Sequence, residues 1–425
     1  MTYNPQLERL SNGISGPFPR AVRVGDYIYT SSIYPIDEEG RVVAGRPWLG
    51  LAEPSAIALQ TRQCLMTLKS TLEELKSSLA LVLKADVHLA SASDFHEFKL
   101  VWREFFPSNP PARLAIEVGE TFPIPGALIN VDAVALASGS KLNREVLCDP
   151  KGPSSMDAEW APDAIRAGNL VFCSGFTASD FRSGLAVGKP SGFPYYGSDA
   201  EMQAEYVFDR LDRVLGEAGT SVQQIVESQL YEPDLGTFYD VDKVWGRRMP
   251  TPPARASMGI KGLITPGAVF VPNFVAVIPD AQHEKKESHK GIAWHPKQRK
   301  VNFSPTITAG PWRFFAGQVA SDDYATVPGA PDGLPHNFSS IEIQTSFTLD
   351  LLTKQLEANE TDWAHCFHVR VFLIEPLRDY RGFVRAWQKY FPDPANAPAV
   401  SYVPSSAMMF DGPLIEIDPT CVAKQ

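Results

Sequence analysis

Two arginines that share one local context are the first residues in this chain that could do chemistry. Arg113 and Arg255 each follow a Pro-Pro-Ala run and each leads into an apolar, strand-like segment. A planar guanidinium group can donate two parallel hydrogen bonds, which is the geometry that grips a carboxylate. Anion binding is therefore one interpretation of both arginines, and a surface or salt-bridging role is the alternative.

Carboxylates near the end of the chain are the second candidate group. Glu416 and Asp418 alternate on one face of a predicted strand. In a cleft such a carboxylate could act as a general acid or base, whereas on a strand edge it would simply be solvated. The sequence has no Gly-rich phosphate loop, no nucleophile-elbow motif and no cysteine spacing typical of a metal site.

The elements that must position these residues recur three times. Similar segments at 21–32, 164–175 and 306–317 each consist of an apolar strand, a Gly-centred turn and a second apolar strand, which predicts a β-hairpin. The hairpins are followed by two amphipathic helical patterns with a strand between them. The second helix carries Trp102, Trp245 or Trp387, which we expect to pack in three equivalent cores. A fixed period of about 140 residues marks a tandem repeat.

Each repeat closes with two further strands, so the predicted order is β-β-α-β-α-β-β. This order predicts an α+β unit in which two helices cover one face of a mainly antiparallel sheet. We place the units at 1–137, 158–279 and 301–425, with solvated linkers at 138–157 and 280–300. Because one sheet face per unit lacks a cover, we expect three sheets to cover one another around a pseudo-three-fold axis.

Composition limits the function classes. The 425 residues carry a net charge of −10, which disfavours nucleic acid as a partner. No apolar run is long enough to span a bilayer. The start, Met1–Pro5, lacks the features of a secretory signal. Five cysteines without motif spacing are typical of reduced thiols in a cytoplasmic protein.

Several segments of the first unit closely resemble the RidA (YjgF) family of enamine/imine deaminases. They are Gln-Thr-Arg-Gln at 60–63, Phe-Phe-Pro-Ser-Asn-Pro-Pro-Ala-Arg at 105–113 and Gly-Ala-Leu-Ile-Asn-Val-Asp-Ala-Val-Ala at 126–135. The resemblance is clear in the second unit and weaker in the third. It implies a chorismate-mutase-like fold, a trimeric arrangement with clefts between units, and no cofactor.

The resemblance also implies roles for particular positions. The family's carboxylate-binding arginine matches Arg113, Arg255 and Val400 in the three units, and its water-activating glutamate matches Asn130, Val271 and Glu416. A small cysteine matches Ala115, Ser257 and Tyr402, a strand Ser-Gly pair matches Ser31-Ser32, Ser174-Gly175 and Ala316-Gly317, and an aromatic residue matches Phe18, Ala161 and Phe303. The expected catalytic residues are therefore Glu416 and Asn130. The expected substrate-binding residues are Arg113, Arg255, Ser31, Ser174, Gly175, Phe18 and Ser257.

No single unit keeps both the arginine and the glutamate. One interpretation is a retuned cleft with Arg113 and Asn130, although a neutral amide cannot act as a base. A second is a cleft between units that combines Glu416 with a neighbour's arginine. A third is loss of chemistry with retention of binding.

These alternatives lead to one main hypothesis and two rivals. The main hypothesis is a cofactor-independent enzyme of the cytoplasm that hydrolyses or tautomerises a small carboxylate-bearing imine, enamine or related C–N compound. A specialised hydrolase or lyase on another small acid, similar to a chorismatase, is the second enzyme hypothesis, and it rests on fold analogy. A non-catalytic metabolite-binding or regulatory protein is the rival from a different class. Further association of the three-unit chain stays open.

Overall fold

The fold was obtained as a computed structural model that describes residues 6–10, 17–43, 54–152, 155–188, 197–292, 302–321 and 327–424. Met1–Pro5 and residues 293–300 of the second predicted linker lie outside these ranges. Among the described residues no helix combines the length and the apolar character needed to cross a membrane. All five cysteines are free, and four of them are buried, as expected.

The first unit contains six strands and two long helices. Its elements are β1 Leu7–Leu10, β2 Ala21–Val24, β3 Tyr27–Thr30, α1 Ala56–Glu74, β4 Val82–Leu89, α2 Phe95–Phe105, β5 Ala112–Glu117 and β6 Ile129–Leu136.

The second and third units repeat this plan. The second contains β7 Arg144–Leu147, α3 Ser155–Glu159, β8 Ala164–Ala167, β9 Leu170–Cys173, α4 Asp199–Glu217, β10 Ile225–Glu232, α5 Phe238–Arg248, β11 Ala254–Gly259, β12 Gly262–Leu263 and β13 Val271–Val277. The third contains β14 Lys285–Ser288, β15 Thr306–Ala309, β16 Trp312–Phe315, β17 Gln318–Val319, α6 Ser340–Ala358, β18 Cys366–Leu373, α7 Pro376–Tyr390, β19 Ala399–Pro404, β20 Ala407–Met408 and β21 Ile415–Val422.

The predicted hairpins are confirmed, and one backbone feature explains their turns. Gly25, Gly168 and Gly310 have φ angles of 60°, 59° and 59°, in the left-handed region that a side chain disfavours. The same turn therefore joins β2 to β3, β8 to β9 and β15 to β16.

Three seven-stranded sheets confirm the α+β prediction. Their orders are β1-β2-β3-β6-β4-β5-β12, β20-β11-β10-β13-β9-β8-β7 and β14-β15-β16-β21-β18-β19, with β17 paired to β21. The strands pair antiparallel except for β4–β5, β10–β11 and β18–β19, which are parallel. The second helix of each unit contributes a fully buried tryptophan, which confirms the structural role expected for Trp102, Trp245 and Trp387.

The prediction that both linkers are solvated connectors is wrong in part. Residues 144–147 form β7, which pairs with β8, and residues 285–288 form β14, which pairs with β15. Each is an edge strand held in the sheet by its backbone hydrogen bonds. β14 is entirely polar, and β7 adds one buried apolar side chain, Leu147. The five-residue helix α3 spans the end of the first linker and the predicted start of the second unit.

The three sheets pack on one another in a ring, as expected for a pseudo-trimer. Strands β4 and β5 contact β8 and β9, β10 and β11 contact β15 and β16, and β18 and β19 contact β2 and β3. One buried apolar cluster contains residues from all three units, among them Val22, Ile165 and Ile307. Short strands also cross between units, since β12 pairs with β5 and β20 pairs with β11.

Candidate functional site

Three equivalent clefts lie where neighbouring units meet. A backbone N–H donates across each junction: Gly175 to the Arg113 carbonyl at 3.0 Å, Gly317 to the Arg255 carbonyl at 3.2 Å, and Ser32 to the Val400 carbonyl at 2.9 Å. We name these the first cleft (units 1 and 2), the second cleft (units 2 and 3) and the third cleft (units 3 and 1). The strand that carries the arginine position thus faces the hairpin of the next unit.

The second cleft brings Arg255 and Glu416 together. Both line one cavity of about 920 Å³, with Arg255 on β11 of unit 2 and Glu416 on β21 of unit 3. Ser257, Phe303 and Gly317 line the same cavity. Packing of the units therefore brings together an arginine and a glutamate that the sequence places in different units.

The Arg255 side chain is held in a fixed orientation. Its Nη1 donates to Oδ1 of Asp242 at 2.7 Å, and the guanidinium carbon lies 5.1 Å from the Phe238 ring centre, 4.8 Å from Trp245 and 5.9 Å from Phe303. Aromatic faces attract a cation and leave its hydrogen-bonding edges directed elsewhere. Arg255 can therefore present a charged edge to an anion in the cavity.

Asp242 links the two units behind this arginine. Its carboxylate accepts from Arg255 through Oδ1 and from Asn302 Nδ2 through Oδ2, the latter at 2.7 Å. Asn302 belongs to the unit 3 segment that leads into β15. Gly246 makes room for it, because a methyl group at that position would lie 2.9 Å from the Asn302 side chain. Orientation of the arginine thus depends on both units.

Glu416 is buried in the wall of the second cleft. Its side chain is 5% exposed, and the Ser257 backbone N–H donates to its carboxylate. Burial, with a smaller effect of the Asp418 charge, raises the pKa of Glu416 to about 8 against the opposing effects of Arg255 and the Ser257 N–H. Near neutral pH this carboxyl can therefore either accept or donate a proton.

A glycine makes the position of Glu416 possible. A methyl group on Gly317 would overlap Oε1 of Glu416 and would lie 2.9 Å from Cβ of Ala256. The carboxylate therefore occupies space that a side chain at residue 317 would take.

The first cleft contains an arginine whose Nη2 already has a partner. Arg113 Nη2 donates to the backbone carbonyl of Glu159 at 2.9 Å, and the Glu159 carboxylate lies 3.7 Å from the same nitrogen. The Arg113 side chain is 1% exposed, and burial lowers its pKa to about 10. Helix α3 thus supplies the acceptor that a bound carboxylate would supply in an open cleft.

The glutamate position of the first cleft is apolar. Val271 stands there, and a methyl group on Gly175 would lie 3.0 Å from it and 2.6 Å from Leu114. Ser174 Oγ accepts from the Arg113 backbone N–H at 2.8 Å and donates to the Pro162 carbonyl at 2.6 Å. The structure gives Ser174 a role in joining the two units.

The third cleft is filled by aromatic side chains. Phe18 contacts the rings of Phe383, Trp387 and Tyr402 with centroid distances of 6.2, 5.5 and 5.8 Å. Phe18 and Tyr402 are both buried. The arginine position is Val400 here, so the aromatic cluster occupies the place of the anion-binding group.

Asn130 lies in the third cleft, where valine replaces the arginine. It is fully buried, its Oδ1 pairs with His88 Nδ1 at 2.6 Å, and its Nδ2 donates to the Tyr402 carbonyl at 3.1 Å. Ser31 Oγ accepts from the Val400 N–H at 2.8 Å, which repeats the contact of Ser174. Asn130 and Arg113 thus belong to different clefts, so the interpretation that pairs them is not supported by their positions.

Sequence reasoning missed several residues of the second cleft. Asp242 and Tyr239 occupy helix α5, and Met409 and Phe410 follow β20 in a loop. Asp242 lies three residues before the repeated Trp245, and that spacing on the helix was the one signal that could have directed attention to it. The loop residues carry no comparable signal.

One protein-family model matches all three units of the chain. The family model described as Endoribonuclease L-PSP matches residues 11–137, 154–276 and 296–423. The chain belongs to this L-PSP family. The match confirms the resemblance to RidA (YjgF) proteins and the three tandem units.

Single-unit relatives support the same family. A RutC family protein of Pyrococcus abyssi is 34% identical over 122 residues, which cover 28% of this chain and 86% of the relative. The 3-aminoacrylate deaminase RutC of Acinetobacter baylyi is 32% identical over 119 residues, which cover 28% of this chain and 86% of the relative. A solved chorismatase structure aligns with 80% of this chain and 93% of its own at a TM-score of 0.47 and 11% identity.

Within this L-PSP chain, the five positions singled out by the RidA resemblance come together in one cleft. The second cleft contains Arg255 and Ser257 from unit 2 and Phe303, Gly317 and Glu416 from unit 3. The first cleft has the arginine with valine in place of glutamate, and the third has asparagine with valine in place of arginine.

Proposed function

We propose that this L-PSP chain is a cofactor-independent deaminase that hydrolyses a carboxylate-bearing imine or its enamine tautomer in the second cleft. The observation that carries the proposal is that Arg255 and Glu416 line one cavity, although they come from different units. The name of the Acinetobacter relative supports it, because 3-aminoacrylate is itself an enamine that bears a carboxylate.

Binding begins with the substrate carboxylate on Arg255. Asp242 and the surrounding rings hold the guanidinium group, so little orientation is lost when the anion binds. The C=N carbon then lies toward Glu416 in the same cavity. A cavity of about 920 Å³ accommodates both the substrate and a water molecule.

Hydrolysis follows from the proton equilibrium of Glu416. The ionised carboxylate accepts a proton from water while the water oxygen forms a bond to the imine carbon. The C=N π electrons move to nitrogen, which receives the proton that Glu416 took from water, and the carboxylate is regenerated. The carbinolamine then collapses: Glu416 takes the proton of its hydroxyl and delivers it to the amine nitrogen, a C=O bond forms as the C–N bond breaks with its electron pair on nitrogen, and ammonia leaves. The products are one oxo acid and one ammonia for each imine and water consumed. A carboxyl with a pKa of about 8 suits both proton transfers.

The other two clefts act as structural junctions in this proposal. In the first cleft the Glu159 carbonyl accepts a hydrogen bond from Arg113. In the third cleft aromatic rings fill the space. Fusion of the units allows this division, since three sites in one chain need not be identical.

A trapping assay tests the proposal. An amino-acid oxidase generates imines, semicarbazide traps them, and acceleration of imine loss by the protein measures hydrolysis. We expect acceleration by the unmodified chain, a loss of at least about 10²-fold in kcat for Glu416→Gln, and a large rise in KM for Arg255→Ala. Arg113→Ala is the matched variant at the equivalent position of the first cleft, and we expect it to retain turnover.

Melting curves of all three variants provide the folding control. If Arg255→Ala retains full activity while Arg113→Ala loses it at unchanged melting temperature, the assignment to the second cleft is wrong. Thermal stabilisation by 2-oxo acids without turnover of any imine would favour the metabolite-binding hypothesis instead.

A further inference from the structure

The second cleft extends well beyond its reacting groups. The buried residues of its lining, Arg255, Ser257 and Glu416, define its inner end. The less buried residues Tyr239, Val319, Met409 and Phe410 define its outer half. Tyr239 is 76% exposed and Met409 is 37% exposed, so large apolar groups face the mouth of the cavity. Large exposed apolar residues around a cavity are typical of a binding surface.

The charged residues of the cleft rim are already paired. Lys243 is bound to Glu201, and Arg247 Nη2 donates to Glu205 at 2.7 Å. Both acids belong to α4 and both bases to α5, so the two helices neutralise each other at the rim. The outer half of the cleft therefore offers apolar contact area rather than a second anion-binding group.

The size of the cavity exceeds what a small imino acid requires. A three-carbon 2-imino acid has only about six heavy atoms, whereas cavities of roughly 300–1,000 Å³ enclose drug-sized ligands. At about 920 Å³ the second cleft leaves its apolar half empty when only the inner end is occupied. Apolar surface left in contact with water contributes nothing to binding.

We infer that the second cleft selects imines or enamines with a bulky apolar side chain, aromatic above all, over those with a methyl-sized side chain. The substrate carboxylate lies on Arg255, the C=N carbon lies near Glu416, and the side chain packs between Tyr239 and the Met409–Phe410 loop. This inference rests on the proposed function and specifies its substrate class.

Specificity constants for a panel of imines test the inference. An oxidase generates imines from phenylalanine, leucine, alanine and aspartate, and semicarbazide trapping gives kcat/KM for each. We expect kcat/KM for the phenylalanine imine to exceed that for the alanine imine by at least about tenfold, since each methylene in an apolar pocket contributes about that much discrimination.

Variants locate the selecting surface. Tyr239→Ala combined with Met409→Ala should reduce the phenylalanine-to-alanine ratio of kcat/KM by about tenfold. Leu100→Ala is the matched control, because Leu100 is an exposed apolar residue on α2, the helix of unit 1 that corresponds to α5. The phenylalanine-to-alanine ratio of kcat/KM for Leu100→Ala should equal that of the unmodified chain.

The outcomes separate this inference from the proposed function. Hydrolysis of no imine in the panel overturns both. Hydrolysis with equal or higher kcat/KM for the alanine imine, or with a preference for the aspartate imine, overturns the substrate class and leaves the deaminase proposal standing. A ratio unchanged by the double variant also overturns the inference, because another surface would then determine the preference.

Discussion

The proton on Glu416 should determine how activity depends on pH. Burial raises the pKa of this carboxyl to about 8, and its ionised form is the base for water. We therefore expect kcat/KM to rise by about tenfold per pH unit below that value and to level off above it, because kcat/KM reports ionisations of the free enzyme. Glu416→Gln should remove this rise together with most of the rate. A flat profile from pH 6 to 9 in the unmodified chain would contradict the role.

The fork geometry of Arg255 gives a second prediction at the scale of one residue. Lysine keeps the positive charge but cannot make two parallel hydrogen bonds. Loss of one charge-assisted hydrogen bond corresponds to about a tenfold or larger rise in KM, so we expect Arg255→Lys to raise KM with a smaller effect on kcat. The same change at Arg113, whose partner is the Glu159 carbonyl, should leave KM unaltered. Equal KM values for Arg255→Lys and the unmodified chain would show that charge alone binds the substrate.

The strand connection at the second cleft determines where Glu416 can lie. Gly317 lies between β16 and β17, directly before Gln318, and a methyl group there would overlap the carboxylate. We expect Gly317→Ala to displace Glu416 and reduce kcat by about 10²-fold, since a shift of about 1 Å has that effect on a positioned group. Gly216→Ala, where a methyl group would meet open space in helix α4, is the control. Comparable activity of the two alanine variants would mean that Glu416 does not need its observed position.

Elements with a strong apolar period were predictable, and elements held by backbone pairing alone were not. The hairpins and helices bury apolar stripes, and Trp245 and its counterparts fill the cores, so their pattern is visible in the sequence. Strands β7 and β14 expose Glu145 and Lys286, so no alternation identifies them. The carboxylate-handling residues were predicted from the resemblance, whereas the only signal for Asp242 was its spacing from Trp245. Whether Glu416 meets Arg113 or Arg255 depends on the cyclic order of the units, which the sequence leaves open.

At the scale of the whole molecule, the pseudo-three-fold axis shows what fusion permits. Asp86, Gln229 and Arg370 occupy equivalent positions on β4, β10 and β18, opposite Leu114, Ala256 and Ser401 of the parallel neighbours. A homotrimer would place three identical side chains there by symmetry. Here Arg370 lies 3.7 Å from Asp86 and bonds Glu227 at 2.5 Å.

Such complementary pairs favour one arrangement of the units. Removing one partner of a buried ion pair leaves an uncompensated charge, and this penalty disfavours any packing in which the partners do not meet. Two further hydrogen bonds join the units at the axis, since Lys84 donates to Asn273 and Gln229 donates to Asp418 at 2.9 Å. The axis therefore contributes to the order of units that places Arg255 beside Glu416.

This cluster should also make stability depend on pH. Its titratable groups are Tyr29, Lys84, Asp86, Asp132, Glu227, His368, Arg370 and Asp418. Burial raises the pKa of Asp418 to about 8 and also raises that of Asp132, whereas Arg370 opposes both shifts. The folded state therefore binds protons more tightly than the unfolded state, in which an aspartate has a pKa of about 4.

The sign of the effect follows from proton linkage. The stability contributed by protonated Asp418 is fully present below about pH 4 and is lost as pH rises through about 8, with a slope of up to about 1.4 kcal/mol per pH unit. We expect Asp418→Asn to flatten the fall in unfolding free energy between pH 5 and pH 8, measured by urea denaturation. Asp418 also raises the pKa of Glu416, so the flattening includes a smaller contribution from Glu416 in the variant. Parallel curves for the two proteins would mean that Asp418 ionises equally in both states, and that the charge pairs at the axis compensate its burial.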